Sequence, residues 1–131
     1  MPIDVQERHR IEDLLARWCW LMDGGNGEDW AALWTDDGVF TGIPEVARGP
    51  EQLAKLPVEF HQMGGGKFRH TMSNVTLEQG DSPDEVVACA YSTLTNWNEG
   101  GALIGFAKVR FTFAKVGGVW KIATQHAESF G

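Results

Sequence analysis

The segment from Ile11 to Trp34, IEDLLARWCWLMDGGNGEDWAALW, constrains the fold more than any other part of the chain. Ile11, Leu14, Leu15, Trp18 and Met22 fall on one stripe of an α-helix, and such a stripe must be buried. Ala16, Cys19 and Asp23 flank it. Two small residues leading to a carboxylate leave room for a cavity beside it. Gly24 and Gly25 can supply a left-handed cap. Asp23 therefore sits in the last turn, at the negative end of the helix dipole, where a carboxylate is locally unfavourable. A residue that breaks a local rule is a candidate for function. The competing explanation is a solvated helix end.

Upstream, Asp4 followed three residues on by Glu7 has the form of a capping box. Downstream, Glu28 and Asp29 open a short helix whose apolar face is Trp30, Leu33 and Trp34. Asp37-Gly38 predicts a turn, and Val39-Phe40-Thr41 a short strand. Gly49-Pro50 predicts a third helix to about Lys55, interrupted by Pro57. Gly64-Gly65-Gly66 predicts a flexible loop. Gly66-Lys67 is not a phosphate loop, because Phe68 replaces the Ser or Thr and the upstream glycine is absent.

The second half predicts strands at about 69–78, 85–97, 103–115 and 119–124, separated by turn-forming runs such as Asp81-Ser82-Pro83-Asp84 and Gly117-Gly118. Val109, Phe111 and Phe113 alternate with Arg110 and Thr112, so that strand has one buried face. Gly105 marks a bulge or bend within it. Helices followed by a run of strands indicate an α+β fold with a strongly bent antiparallel sheet. The 131 residues suit one domain, 1–131, with no linker or repeat.

A net charge of −7 lacks the basic footprint that nucleic acids require. No secretion signal opens the chain, and no apolar run approaches the roughly 18 residues of a membrane span. The expectation is a cytoplasmic protein without a membrane partner. Cys19 and Cys89 are expected to be free, buried thiols. Six tryptophans and seven phenylalanines offer area for a core, a pocket or an interface.

Four histidines are available. His9 lies off the helix stripe and reads as solvated. His61 falls in the irregular region after Pro57, and His126 follows the last strand, within reach of a cavity end. His70 opens a strand in which alternation groups it with Met72 and Asn74, against Val75 and Leu77. No histidine pair has helical metal-site spacing, and neither Cys-x-x-Cys, nor Gly-x-Ser-x-Gly, nor a dinucleotide fingerprint occurs. Neither a cofactor nor a metal is expected. One carboxylate and one imidazole remain, Asp23 and His70.

The chain resembles the nuclear transport factor 2-like superfamily, and within it the SnoaL-like domains. The resemblance rests on Trp20-Leu21-Met22-Asp23, Glu28-Asp29-Trp30-Ala31-Ala32-Leu33-Trp34 and Thr35-Asp36-Asp37-Gly38-Val39-Phe40. It continues in Arg69-His70-Thr71-Met72-Ser73-Asn74 and Gly117-Gly118-Val119-Trp120-Lys121-Ile122. It implies a cone-shaped α+β barrel enclosing an apolar pocket. It also implies an Asp–His pair, since Asp23 and His70 fall where some catalytic members carry theirs. Asn96 stands where the scytalone dehydratase branch has a second histidine. Ala107 and Val109 stand where that branch has serine and asparagine, and its pair of tyrosines is not evident.

The expected activity is that of a cofactor-independent lyase or isomerase. Asp23 would fix the tautomer of His70, and His70 would remove a proton from a carbon acid. The resulting carbanion would expel a β-leaving group, shift a double bond or attack a carbonyl. Asn96 is the first expected donor to developing charge, with Tyr91 and Trp97 behind it. Trp18, Trp20, Phe40 and Met72 are expected to wall a pocket for a small hydrophobic molecule, cyclic ones included. The rival is a binding module with the same pocket and no turnover. Either is compatible with a homodimer or higher homo-oligomer.

Overall fold

The computed structural model describes residues 3–42 and 45–130. In chain order the elements are α1 (Val5–Asp23), α2 (Gly27–Ala31), β1 (Trp34–Thr41), β2 (Val46–Arg48), α3 (Gly49–Gly64), β3 (Phe68–Gln79), β4 (Glu85–Asn96), β5 (Ala102–Val116) and β6 (Val119–Ser129). The strands form one curved sheet in the order β2-β1-β6-β5-β4-β3, antiparallel except where β1 runs parallel to β6. β2 and β3 do not pair, so the cone is open along one side and the barrel is not closed.

α1 forms as its periodicity demands. Ile11, Leu14, Leu15, Trp18 and Met22 are all buried. They pack in one core with Phe111 and Phe113 of β5, Ile122 of β6, Trp30 of α2 and Leu53 of α3. Asp4 caps the helix by accepting from the Gln6 N–H at 3.1 Å. The capping box stays half-made, because Glu7 turns away to Trp120 and Lys115 on the sheet. Gly24 keeps a right-handed conformation, and Gly25, at φ 73°, makes the left-handed turn. A side chain at Gly25 would also put its Cβ 2.9 Å from His61 Cβ. The break after Asp23 is thus pressed against α3 and needs a glycine.

α3 departs from expectation. Pro57 does not interrupt it; the helix runs on to Gly64. Proline forfeits a backbone bond to the carbonyl four residues earlier. Pro57 and Leu53 are both fully buried, and their apolar contact with the core offsets that loss. His61 consequently lies in the last turn of α3, and Gly65 is its left-handed cap rather than part of a loose loop. β2 had no sequence signal.

β1 also runs on where a turn was expected. Trp34 begins the strand and does not belong to α2, and Asp37-Gly38 stays within it. The pairing with β6 jumps from Trp34–Ile122 to Val39–Thr124, so the intervening residues form a bulge. In β3 the register shifts between Ser73 and Thr76, and Asn74 adopts φ 54°. That bulge resets the alternation. Asn74 is exposed, while Val75 joins His70, Met72 and Leu77 on the side that packs inward. The bend at Gly105 is present, as pairing passes from Leu94–Gly105 to Thr95–Leu103. β6 reaches Ser129, further than expected, because β5 pairs with it as far as that residue.

Cys19 is buried, but Cys89 is exposed on the convex face, which corrects the expectation of two buried thiols. No helix among the described residues is long and apolar enough to cross a membrane.

Candidate active site

The end of α1 meets the start of β3, an edge strand. An edge strand leaves alternate N–H groups without a ladder partner. The His70 N–H is supplied by Asp23, whose Oδ2 accepts it at 2.8 Å. The other oxygen, Oδ1, lies 2.7 Å from Nδ1 of the same residue. One carboxylate therefore holds His70 by both backbone and ring. A carboxylate only accepts hydrogen bonds, so Nδ1 is the donor, and in the neutral ring Nε2 is the nitrogen with the lone pair. Both side chains are largely out of water, with 13% of His70 and 9% of Asp23 exposed.

Aromatic rings fix the imidazole plane. Trp18 meets it edge-on with centroids 5.0 Å apart, and Phe60 of α3 lies over it at 4.8 Å. Trp18 is itself anchored, donating from Nε1 to Oε1 of the buried Gln125 at 2.7 Å. Trp30 packs edge-on behind Trp18 at 5.8 Å.

His70 opens onto a cavity of about 310 Å³ walled by Trp18, Met22, Phe40, Leu56, Phe60 and Leu94. Leu94 reaches it because it pairs directly with His70 across β3 and β4. Glu45 and Glu59 also line the cavity, and both are exposed. A depression of about 420 Å³ approaches the pair from the other side, past Cys19, Trp20 and Arg69. The Cys19 thiol is pushed up to about 12, by burial first and then by the Asp23 charge. It stays protonated at neutral pH and cannot serve as a nucleophile there.

The structure brings Asp23, His70, Trp18 and Phe40 together, places Trp20 and Met72 on outer depressions that His70 also borders, and engages Asn96, Tyr91 and Trp97 elsewhere. Trp20 is 81% exposed, because two residues of helix carry it around from Trp18 to the outer side. Met72 packs towards α1 and, with Cys19 and Trp20, lines an outer groove that His70 also borders. Asn96 is consumed by a local turn, where its Oδ1 accepts from the Asn98 backbone at 2.9 Å and side chain at 3.0 Å. Tyr91 points to the convex face and stacks on Phe106 at 5.4 Å. Trp97 is 56% exposed and donates to Thr95 Oγ1 at 3.1 Å.

His126 is exposed beside Glu128, 3.8 Å away, and its neighbour Gln125 faces inward instead. Leu56, Phe60 and Leu94 were not anticipated. Leu53, Leu56 and Phe60 have helical spacing, a signal that Pro57 masked. Among the described residues, no three His, Cys, Asp or Glu side chains converge as a metal ion requires.

The chain is thus an α+β cone with a carboxylate–imidazole pair beside an apolar cavity. The chain belongs to the SnoaL-like domain family, whose model matches residues 4–126. No curated protein matches it. It is similar to a variant of Rv3472 from Mycobacterium tuberculosis, a protein of unknown function, at 26% identity and a TM-score of 0.85. That match covers 96% of this chain and 77% of the other. Aln2 from a Streptomyces species matches at 24% identity and a TM-score of 0.85, covering 98% and 93%. A putative scytalone dehydratase from Novosphingobium aromaticivorans matches at 19% and 0.80, covering 97% and 86%. The last two likenesses are of fold.

Proposed function

We propose that the protein is a cofactor-independent lyase or isomerase in which His70 abstracts a proton from carbon and Asp23 orients and charge-stabilises it. The observation that carries this reading is the double hold of Asp23 on His70, at 2.8 Å to the backbone and 2.7 Å to the ring. It leaves Nε2 as the basic nitrogen. When Nε2 takes a proton, the imidazolium forms beside a carboxylate already in contact, so the charge is compensated without rearrangement. The C–H electron pair then forms a double bond with loss of a β-leaving group, or moves into an adjacent unsaturated system. The cavity's size and apolar walls suit a small hydrophobic molecule of one or two rings.

The test is solvent exchange. Cyclic ketones and β-substituted carbon acids are incubated with the protein in deuterium oxide and followed by proton NMR. The expected result is protein-dependent loss of one C–H signal, or elimination, that His70→Gln abolishes. Exchange unaffected by His70→Gln overturns the reading.

A second reading is favoured by one observation. Among the described residues, none of the cavity-lining side chains apart from His70 is an amide, a hydroxyl or a cation able to stabilise an oxyanion. A pocket that binds without turnover is consistent with that lining. Saturable binding with no exchange across the panel selects it.

A further inference from the structure

Besides the His70 imidazole, the titratable side chains lining the cavity are the carboxylates Glu45 and Glu59, and among the described residues no lysine or arginine lines it. Among the described residues, neither carboxylate has a side-chain hydrogen bond or ion pair. Arg69, next to His70 in the chain, lines the depression on the other side and donates from Nη1 to the carbonyl oxygens of Gly66 at 2.9 Å and Phe68 at 2.7 Å. The third carboxylate in the vicinity, Asp23, lies behind His70 and is occupied by it. The remaining lining is hydrocarbon, aromatic or thioether.

We infer that Glu45 and Glu59 set the charge selectivity of this cavity: its ligand is neutral or cationic, and carboxylates are rejected. The inference rests on the reading that this cavity holds the ligand acted on at His70. Two effects act together. A carboxylate entering an apolar cavity loses hydration that no lining cation restores. It also approaches two unpaired negative charges at the edge of a low-dielectric space, where Coulomb repulsion is screened less than in bulk water. An ammonium group loses hydration too, but gains attraction from the same pair. The second effect belongs to Glu45 and Glu59, and it is open to mutation.

The experiment is calorimetric titration with three ligands of one shape near neutral pH: 2-naphthoate, 2-naphthamide and 2-naphthylmethylammonium. The wild type should bind the amide and the ammonium, with naphthoate weaker by about tenfold or more. Glu45→Gln with Glu59→Gln should recover most of that deficit for naphthoate, weaken the ammonium and leave the amide unchanged. Raising the ionic strength should narrow the wild-type spread, because exposed charges are screened.

Naphthoate binding as tightly as the amide overturns the inference. So does a spread unchanged in the double variant, since discrimination would then come from desolvation alone. Failure of all three ligands to bind overturns it as well. Failure of the exchange experiment, with the affinity order intact, removes the proposed catalysis and leaves the selectivity standing.

Discussion

The two ends of α1 each carry a carboxylate that reaches across to the sheet, and they are opposites. At the N-terminus, Glu7 lies in the first turn, where the helix dipole favours negative charge. It accepts from the indole of Trp120 and from Lys115 Nζ at 3.2 Å. The Trp120 hydrogen bond holds its carboxyl below the ordinary value of 4.5, with Lys115 and Arg10 adding to the effect against partial desolvation. At the C-terminus, Asp23 sits where the dipole is unfavourable, is buried, and meets a histidine instead of a lysine. Glu7 is what fastening a helix to a sheet looks like. Asp23 satisfies no local preference, and what it buys is a histidine held in one tautomer beside an apolar cavity.

The largest effect should separate the two ends. Asp23→Asn and His70→Gln should each lower the exchange or elimination rate by about 10²- to 10⁴-fold, the range of a positioned general base. Stability should change little in Asp23→Asn, within about 1 kcal/mol, because a neutral imidazole leaves no stranded charge and the amide oxygen still accepts the His70 N–H. Thermal unfolding alongside the rate assay checks both. A variant that keeps its rate but unfolds early would make Asp23 a fastening like Glu7.

The two cysteines sharpen the same contrast through Asp23's field. Cys89 is exposed, and Cys19 is buried with its thiol near 12. Under mild alkaline labelling with a soluble disulfide reagent, one thiol should react at least about a hundredfold faster than the other, since the thiolate is the reactive form. The Asp23 charge is the second cause of the Cys19 shift, so Asp23→Asn should bring that thiol down and speed its labelling. Labelling of Cys19 at an unchanged rate would mean that access, not charge, protects it.

How much of this was legible follows the local physics. The α1 stripe was readable because a helix repeats its burial every three or four residues, and all five stripe residues are buried. The Asp23–His70 contact spans 47 positions, and periodicity could not supply it; the resemblance to SnoaL-like domains did. Alternation around His70 misled because the Asn74 bulge shifts the phase by one. Phe60 stayed hidden because Pro57 reads as a helix stop, and only its burial in the folded core reverses that. Asn96 illustrates a third cause: at a strand end an asparagine side chain bonds its own turn, and that local competitor wins over a cavity.

Trp18 and Gln125 give a smaller effect, of structure and site together. Their hydrogen bond is buried, so removing one partner strands the other. Gln125→Leu should cost about 1–3 kcal/mol, and Trp18→Phe a similar amount. The double variant should cost less than the sum, because neither polar group is then left unpaired. Chemical denaturation of the four proteins gives the coupling. Additive losses would show that the indole finds another partner, and that Trp18 is not fixed against His70 by this bond.

The smallest effect belongs to Glu7 and depends on pH. Its folded value lies below its unfolded one, so its contribution is present above the unfolded value of 4.5 and fades as pH falls through the folded value. Glu7→Gln should therefore lower stability at neutral pH by no more than about 1 kcal/mol, since the carboxylate is partly exposed and its pairing screened. The difference from wild type should shrink on acidification below 4.5. Proton exchange should be untouched at every pH where both proteins are folded. A pH-independent gap would assign the loss to packing on Trp120, and a changed exchange rate would tie the two ends of α1 into one unit.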